Sequence, residues 1–193
     1  VGSEMCIRDR YPSIRETIDG YCVEVRVTEV EAYGGVGEDP GSHAYRRITA
    51  RNASMFGPAG YAYVYFTYGM HWCLNVVTCA EGTAGAVLIR AGEVVGGYDA
   101  ARTRRPLARH DHDLARGPAR LTKALGVTGA QDGVDLLDAR SPLRLRLPAT
   151  PMPVADVTGR TGVAGPGASI PWRFSAGHPT VSPYRRAVSR ARG

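Results

Sequence analysis

Residues 24–33, Glu24-Val25-Arg26-Val27-Thr28-Glu29-Val30-Glu31-Ala32-Tyr33, place acids in a run that has the periodicity of a half-buried strand. Val23, Val25 and Val27 share a face at period two, and simple alternation continues that face into Glu29, Glu31 and Tyr33. An ionised carboxylate without a partner is expensive in apolar surroundings. A strand of this kind therefore needs a partner for its acids, a raised carboxyl pKa or a polar cleft. The alternative is that the pattern stops at Val27 and both acids face water at a strand end. A cleft with an acid beside an aromatic ring is the arrangement with a chemical use.

The rest of the chain supplies a setting for such a strand. At 193 residues it is long enough for one well-buried core, and no Pro/Gly/Ser linker divides it. Residues 1–10 lack helix or strand periodicity and read as a leader foreign to the fold, which leaves 11–193 as a single domain. Residues 21–33 read as a strand and 34–41 as a loop. Residues 61–68 alternate, with Tyr61, Tyr63 and Tyr65 on one face and Val64, Phe66 and Tyr68 on the other. Together with 71–78 they form a hairpin that has Tyr68 near its tip. Residues 84–91 are a third apolar strand, 102–114 a basic loop, and 143–147 a further strand. Residues 117–126 form a short helix, with Pro118 at its first position and Gly126 at its end. No apolar run is long enough to span a bilayer and no signal segment is evident, so the expectation is a soluble cytoplasmic protein with no membrane partner. Cys6, Cys22, Cys73 and Cys79 have no metal-site spacing and read as reduced, mostly buried thiols.

Charge narrows the partner. The formal net charge is +6, with 24 Lys and Arg against 18 Asp and Glu, and Lys123 is the only lysine. Arg102, Arg104, Arg105, Arg109, Arg116 and Arg120 form one basic zone, and Arg185, Arg186, Arg190 and Arg192 a second. Guanidinium forks suit bidentate contacts to phosphate, so a polyanion is the expected partner. A GC-rich genome explains the choice of Arg over Lys but not the excess of positive charge. His110-Asp111-His112-Asp113 is the one stretch resembling a metal site, and with Arg109 and Arg116 flanking it a solvated loop is the better reading. No metal and no organic cofactor are expected. The tyrosines around the hairpin are either ordinary core or stacking plates for a flat heterocycle, where each stacked base is worth about 1–3 kcal/mol.

Several motifs then occur in order. They are Val27-Thr28-Glu29-Val30-Glu31-Ala32-Tyr33, His43, Arg51-Asn52, Met55-Phe56, Gly60, Tyr63-Val64-Tyr65, Tyr68-Gly69-Met70, Cys73-Leu74-Asn75, Val87-Leu88-Ile89-Arg90-Ala91, Gly117-Pro118 and Pro171-Trp172-Arg173-Phe174. Over residues 21–184 this series resembles the 3-methyladenine (alkyladenine, methylpurine) DNA glycosylase family. The resemblance implies a mixed α/β domain of the methylpurine-glycosylase and formyltransferase C-terminal type, with a curved antiparallel sheet and a protruding hairpin that inserts into DNA. It implies base excision repair of duplex DNA containing 3-methyladenine, 7-methylguanine, ethenoadenine or hypoxanthine, by a monomer that leaves an abasic site. By matching positions, Glu31 is the general base and Arg90 helps hold the attacking water. Tyr33, His43, Tyr65 and Asn75 enclose the flipped base, Tyr68 intercalates, and Arg51, Met55, Arg116 and Arg120 meet the DNA backbone.

Two features depart from the family pattern: no leucine-rich helix precedes residue 21, and Arg160-Thr161-Gly162 only approximates the family's late Arg-aliphatic-Gly element. Glu29 is given a structural role. The sole lysine is far in sequence from the hairpin, which favours simple hydrolysis over a Schiff-base route. The alternatives are a non-catalytic binder of damaged or single-stranded nucleic acid, in which Glu31 has no task, and a hydrolase of free nucleosides, in which the basic zones have none.

Overall fold

In the computed structural model, residues 12–18, 20–149 and 153–183 are described. Residues 1–10, Cys6 and the basic zone from Arg185 to Arg192 lie outside these. The alternating segments form the strands β1 (Ser13–Ile18), β2 (Tyr21–Tyr33), β3 (Ala62–Thr67), β4 (His71–Val77), β5 (Ala86–Gly96), β6 (Leu143–Arg146), β7 (Asp156–Thr158) and β8 (Arg173–Ser175). They make one antiparallel sheet in the order β3-β4-β5-β2-β1-β6. β8 pairs with the second half of β2 and carries β7 at its outer side. The 13-residue β2 is thus the spine, bordered by β5 on one side and by β1 and then β8 on the other.

The helices α1 (Tyr98–Arg104) and α2 (Pro118–Leu125) cover one face. Leu121, Ala124 and Leu125 of α2 and Ala101 of α1 join Val23, Val25, Val27, Val64, Leu74 and Ile89 in the main core. A smaller cluster, which includes Met55, Tyr63, Val77 and Ala86 with Tyr33 and Tyr65 packed on it, lies on the opposite face.

The β2–β5 register corrects the expectation that Glu29 and Glu31 continue the valine face. It shifts between Val27 and Glu29 and again between Glu29 and Val30, leaving Thr28 and Arg90 without partners in that ladder. An unpaired residue on each strand forms a bulge, and a bulge reverses which residues face which side. Val30 therefore joins Val23, Val25 and Val27 against the main core, while Tyr33 turns to the smaller cluster. The acids are buried as the pattern demanded, on the other face of the sheet. The same distortion bends the spine and curls the sheet.

Other boundaries also differ from the sequence reading. β1 is an additional strand, hidden in the sequence because Glu16 occupies an inward position between Ile14 and Ile18. Part of the expected loop at 102–114 is helical: α1 buries only Ala101, too little for a visible helical period, but carries Asp99 in its first turn and Arg102 and Arg104 in its last, as the helix dipole favours. Cys73 is buried, whereas Cys22 and Cys79 are only partly so. Among the described residues no helix is long and apolar enough to cross a membrane.

Candidate active site

The sheet face opposite the helices opens into a cleft of about 470 Å³. Bulging of β2 and β5 aims Tyr33 and Arg90 into it, and alternation along β3 and β4 adds Tyr63, Tyr65, Cys73 and Asn75. The loop after β2 contributes His43, and the segment Thr161–Ala164 closes the remaining side. His43 and Tyr65 meet edge to face with ring centroids 4.6 Å apart, and His43 Nδ1 lies 3.0 Å from the Tyr63 hydroxyl. Burial, with a further contribution from the Arg51 cation, holds the His43 pKa below the ordinary imidazole value, which favours the neutral ring.

Glu31 lies fully buried beneath Tyr33 and Arg90. Its Oε2 accepts from the Tyr33 hydroxyl at 2.8 Å and from Arg90 Nη1 at 3.1 Å, and its Oε1 accepts from the Thr161 amide at 2.6 Å. A carboxylate offers about four lone-pair directions, so one acceptor site remains after these three donors. Glu29 differs. Its Oε1 accepts from Arg90 Nε, Arg173 Nε and the Ser182 hydroxyl, and its Oε2 accepts from the Ser182 amide, so two guanidiniums share its charge. Burial pushes the Glu29 carboxyl up, but Arg90, Ser182 and Arg173 outweigh it and hold the pKa below the ordinary value. Arg90 bridges the two acids: burial opposes its charge, yet Glu31 and Glu29 hold its pKa above the usual guanidinium value. Two acids two residues apart thus differ in their partners: Glu29 is clamped by two guanidiniums and Ser182, whereas Glu31 shares one guanidinium and has a single donor on its Oε1.

Asn75 Nδ2 donates to the Tyr63 carbonyl at 2.9 Å, which fixes its amide at the cleft wall. Tyr68 opens the three-residue loop Tyr68-Gly69-Met70 between the paired Thr67 and His71, at the first central position of the turn that the Met70 amide closes by donating to the Thr67 carbonyl. It has φ +52° and is 86% exposed. This turn needs positive φ at both central residues, a conformation easy for Gly69 and costly for a bulky side chain. A strained aromatic presented to solvent is retained at a cost in both conformation and hydration.

The sequence from residue 13 to 179 matches the family model described as methylpurine-DNA glycosylase. The chain belongs to the methylpurine-DNA glycosylase family. A protein of Streptomyces avermitilis named "Putative 3-methyladenine DNA glycosylase" is 56% identical over 183 residues, which are 93% of this chain and 84% of that one. Proteins of the same name from Nocardia farcinica and Rhodococcus jostii are 55% and 46% identical over 172 and 175 residues, in each case 86% of this chain, and 80% and 75% of theirs.

Of the residues that resemblance to this family singled out, Arg90, Tyr33, His43, Tyr65 and Asn75 line the cleft, Tyr68 lines it from the hairpin tip, and Glu31 is buried behind its wall, bound to Tyr33 and Arg90. Met55 requires a correction. It is 1% exposed in the smaller core, where the Ser42 hydroxyl lies 3.9 Å from its sulfur, so its side chain forms cleft floor and is not available to a phosphate backbone. Arg51 lies 5.6 Å from the Tyr65 ring centroid and donates to the Phe66 carbonyl. Arg116 donates to the Val181 carbonyl, and Arg120 is exposed on α2. His110 and His112 stack on each other, and Asp111 pairs with Arg102. Sequence reasoning missed Asp39, Ser182 and the amide of Thr161, and gave Arg173 no task. The available signals were Arg160-Thr161-Gly162, read as an imperfect family element, and the motif Pro171-Trp172-Arg173-Phe174.

Proposed function

We propose that this methylpurine-DNA glycosylase rotates a damaged purine out of duplex DNA into the cleft and hydrolyses its N-glycosidic bond, leaving an abasic site. Its substrates are 3-methyladenine and, by the same chemistry, 7-methylguanine, ethenoadenine and hypoxanthine. The observation that carries this reading is the unequal pair of acids: Glu31 is bound by Tyr33 and Arg90, which line the aromatic cleft, and has a single donor on its Oε1, while Glu29 is clamped by two guanidiniums and Ser182. A carboxylate with an acceptor site open beside the cleft can take a proton from water, and one held between two guanidiniums is a weaker base.

The other residues follow from the needs of the reaction. A base within the stack hides its glycosidic bond, so the enzyme must stabilise both the extruded base and the gap it leaves. Tyr33, His43 and Tyr65 supply stacking surface, and a purine methylated at a ring nitrogen gains further attraction to the tyrosine faces through its positive charge. Tyr68 fills the gap. Arg90 orients the attacking water beside Glu31, whose charge also favours the oxocarbenium-like sugar. Asn75 crowds out the exocyclic amino group of normal guanine, and Arg51, Arg116 and Arg120 hold backbone phosphates. A single chain carries all of these groups, in keeping with action as a monomer.

The test is incubation with duplexes carrying hypoxanthine or 3-methyladenine, followed by alkali. Strand breaks at the lesion are expected. Binding without breaks would instead support the non-catalytic reading.

A further inference from the structure

The hairpin β3–β4 separates two depressions. Thr67 and Tyr68 face the cleft, whereas Met70, His71 and Trp72 face a second groove of about 740 Å³. Helix α2 divides in the same way: Pro118 at its start lines the cleft, and its next turns line the groove. Arg104, Arg105, Arg120 and Lys123 line this groove, and no acidic residue does so among the described residues. Nor does any of the four form an ion pair among the described residues. Arg104 donates to the carbonyls of Ala124 and Leu125, and Arg105 to that of Leu114, so these guanidiniums are fixed in place by neutral acceptors. Burial and the neighbouring Arg120 depress the Arg105 pKa, an effect that Asp113 only partly offsets, a sign of like charges held close. Such a cluster destabilises the free protein and is relieved by a polyanion.

We propose that this basic groove is a second DNA-binding surface, which holds the sugar–phosphate backbone of the duplex on the far side of the Tyr68 wedge from the cleft. The inference rests on the proposed function, since the hairpin must enter DNA for the duplex to continue on both sides of it. Cleft and groove share the hairpin and α2 as walls, so a strand parted by Tyr68 passes from one to the other. Only one flank of the lesion meets the groove, and the enzyme's demand for duplex is therefore asymmetric.

Lys123 allows a direct test, because it is the only lysine and is exposed at the groove. Acetylation of its amine is followed by peptide mass spectrometry with hypoxanthine duplexes. One set carries a full helical turn on both sides of the lesion, and two others have either side cut back to a few pairs. The full duplex should slow acetylation several-fold, and shortening one particular side should abolish that protection while shortening the other leaves it. Lys123→Gln should lower the salt dependence of binding to the full duplex by about 0.9 in log–log slope, with no change on the duplex shortened at the sensitive side. If the full duplex is cut at the lesion after alkali but leaves Lys123 unprotected, or if both shortenings act alike, the groove is not a DNA surface and the proposed function stands. If neither excision nor protection occurs, the proposed function fails and takes this inference with it.

Discussion

Asp39 and Arg160, 121 residues apart in sequence, form a bidentate ion pair with both side chains fully buried. The Arg160 guanidinium also lies 4.6 Å from the Tyr33 ring centroid and 5.3 Å from that of Trp172. This pair ties the loop after β2, which carries His43, to the segment whose Thr161 amide donates to Glu31. The two walls of the cleft are thereby held at a fixed separation.

Breaking this pair should cost stability and turnover together. Asp39→Ala leaves a buried cation unpaired, a change that typically costs about 3–5 kcal/mol, to be measured by chemical denaturation. Burial pushes the Asp39 carboxyl up, but Arg160 and the amides of Gly34 and Gly41 outweigh it and hold its pKa below the ordinary value. Its stabilisation is therefore complete above about pH 4 and is lost as pH falls through the lower folded pKa. An unchanged denaturation midpoint for Asp39→Ala would show that the pair holds nothing together.

A second buried acid acts in the opposite sense. Glu16 is 1% exposed, neither of its oxygens has a hydrogen-bond partner, and burial raises its carboxyl to about 7 despite the pull of Arg104. Between the unfolded value of 4.5 and about 7 the unfolded chain has released its proton and the folded chain has not. Stability therefore falls as pH rises through that window and levels off above it. Glu16→Leu should stabilise the protein more at pH 8 than at pH 4.5, with a difference of roughly 3 kcal/mol at most. Equal gains at the two pH values would place the effect in packing, not in titration.

These two acids mark the limit of what the sequence disclosed. The hairpin, the exposure of Tyr68 and the start of α2 were legible because local periodicity and turn chemistry set them. The burial of Glu31 was legible too, although the face was not: the bulges at Thr28 and Arg90 depend on pairing between β2 and β5, which no local pattern records. The donors around the acids come from still farther away, with Thr161 130 residues from Glu31 and Ser182 153 residues from Glu29. Only the folded chain brings those groups together. Family resemblance supplied Glu31 and Arg90 but not the reason Glu29 differs from Glu31.

Asn75 provides a test of specificity. Its amide is fixed by the Tyr63 carbonyl and borders the cleft. Asn75→Ser shortens the side chain and should raise the ratio of guanine to hypoxanthine removal, since exclusion by a clash weakens when the obstructing group shrinks. Competition between the two bases in otherwise identical duplexes measures that ratio. A fall in stability with no change in the ratio would make Asn75 a strand-pairing residue only.

The catalytic assignment is tested most directly by single-turnover excision of hypoxanthine by Glu31→Gln, alongside gel-shift affinity on the same duplex near neutral pH. The amide keeps the shape of the acid and loses its capacity to take a proton from water. Loss of a general base costs on the order of a hundred- to ten-thousand-fold in rate. Affinity should survive, because the proposed stacking on Tyr33 and Tyr65 and the proposed arginine contacts to phosphate do not depend on that proton. Glu29→Gln, measured beside it, should act first on stability, as the shared partner of Arg90 and Arg173. Excision by folded Glu31→Gln slowed at least a hundredfold with binding intact is the predicted result; excision at close to the parent rate would contradict the role given to Glu31.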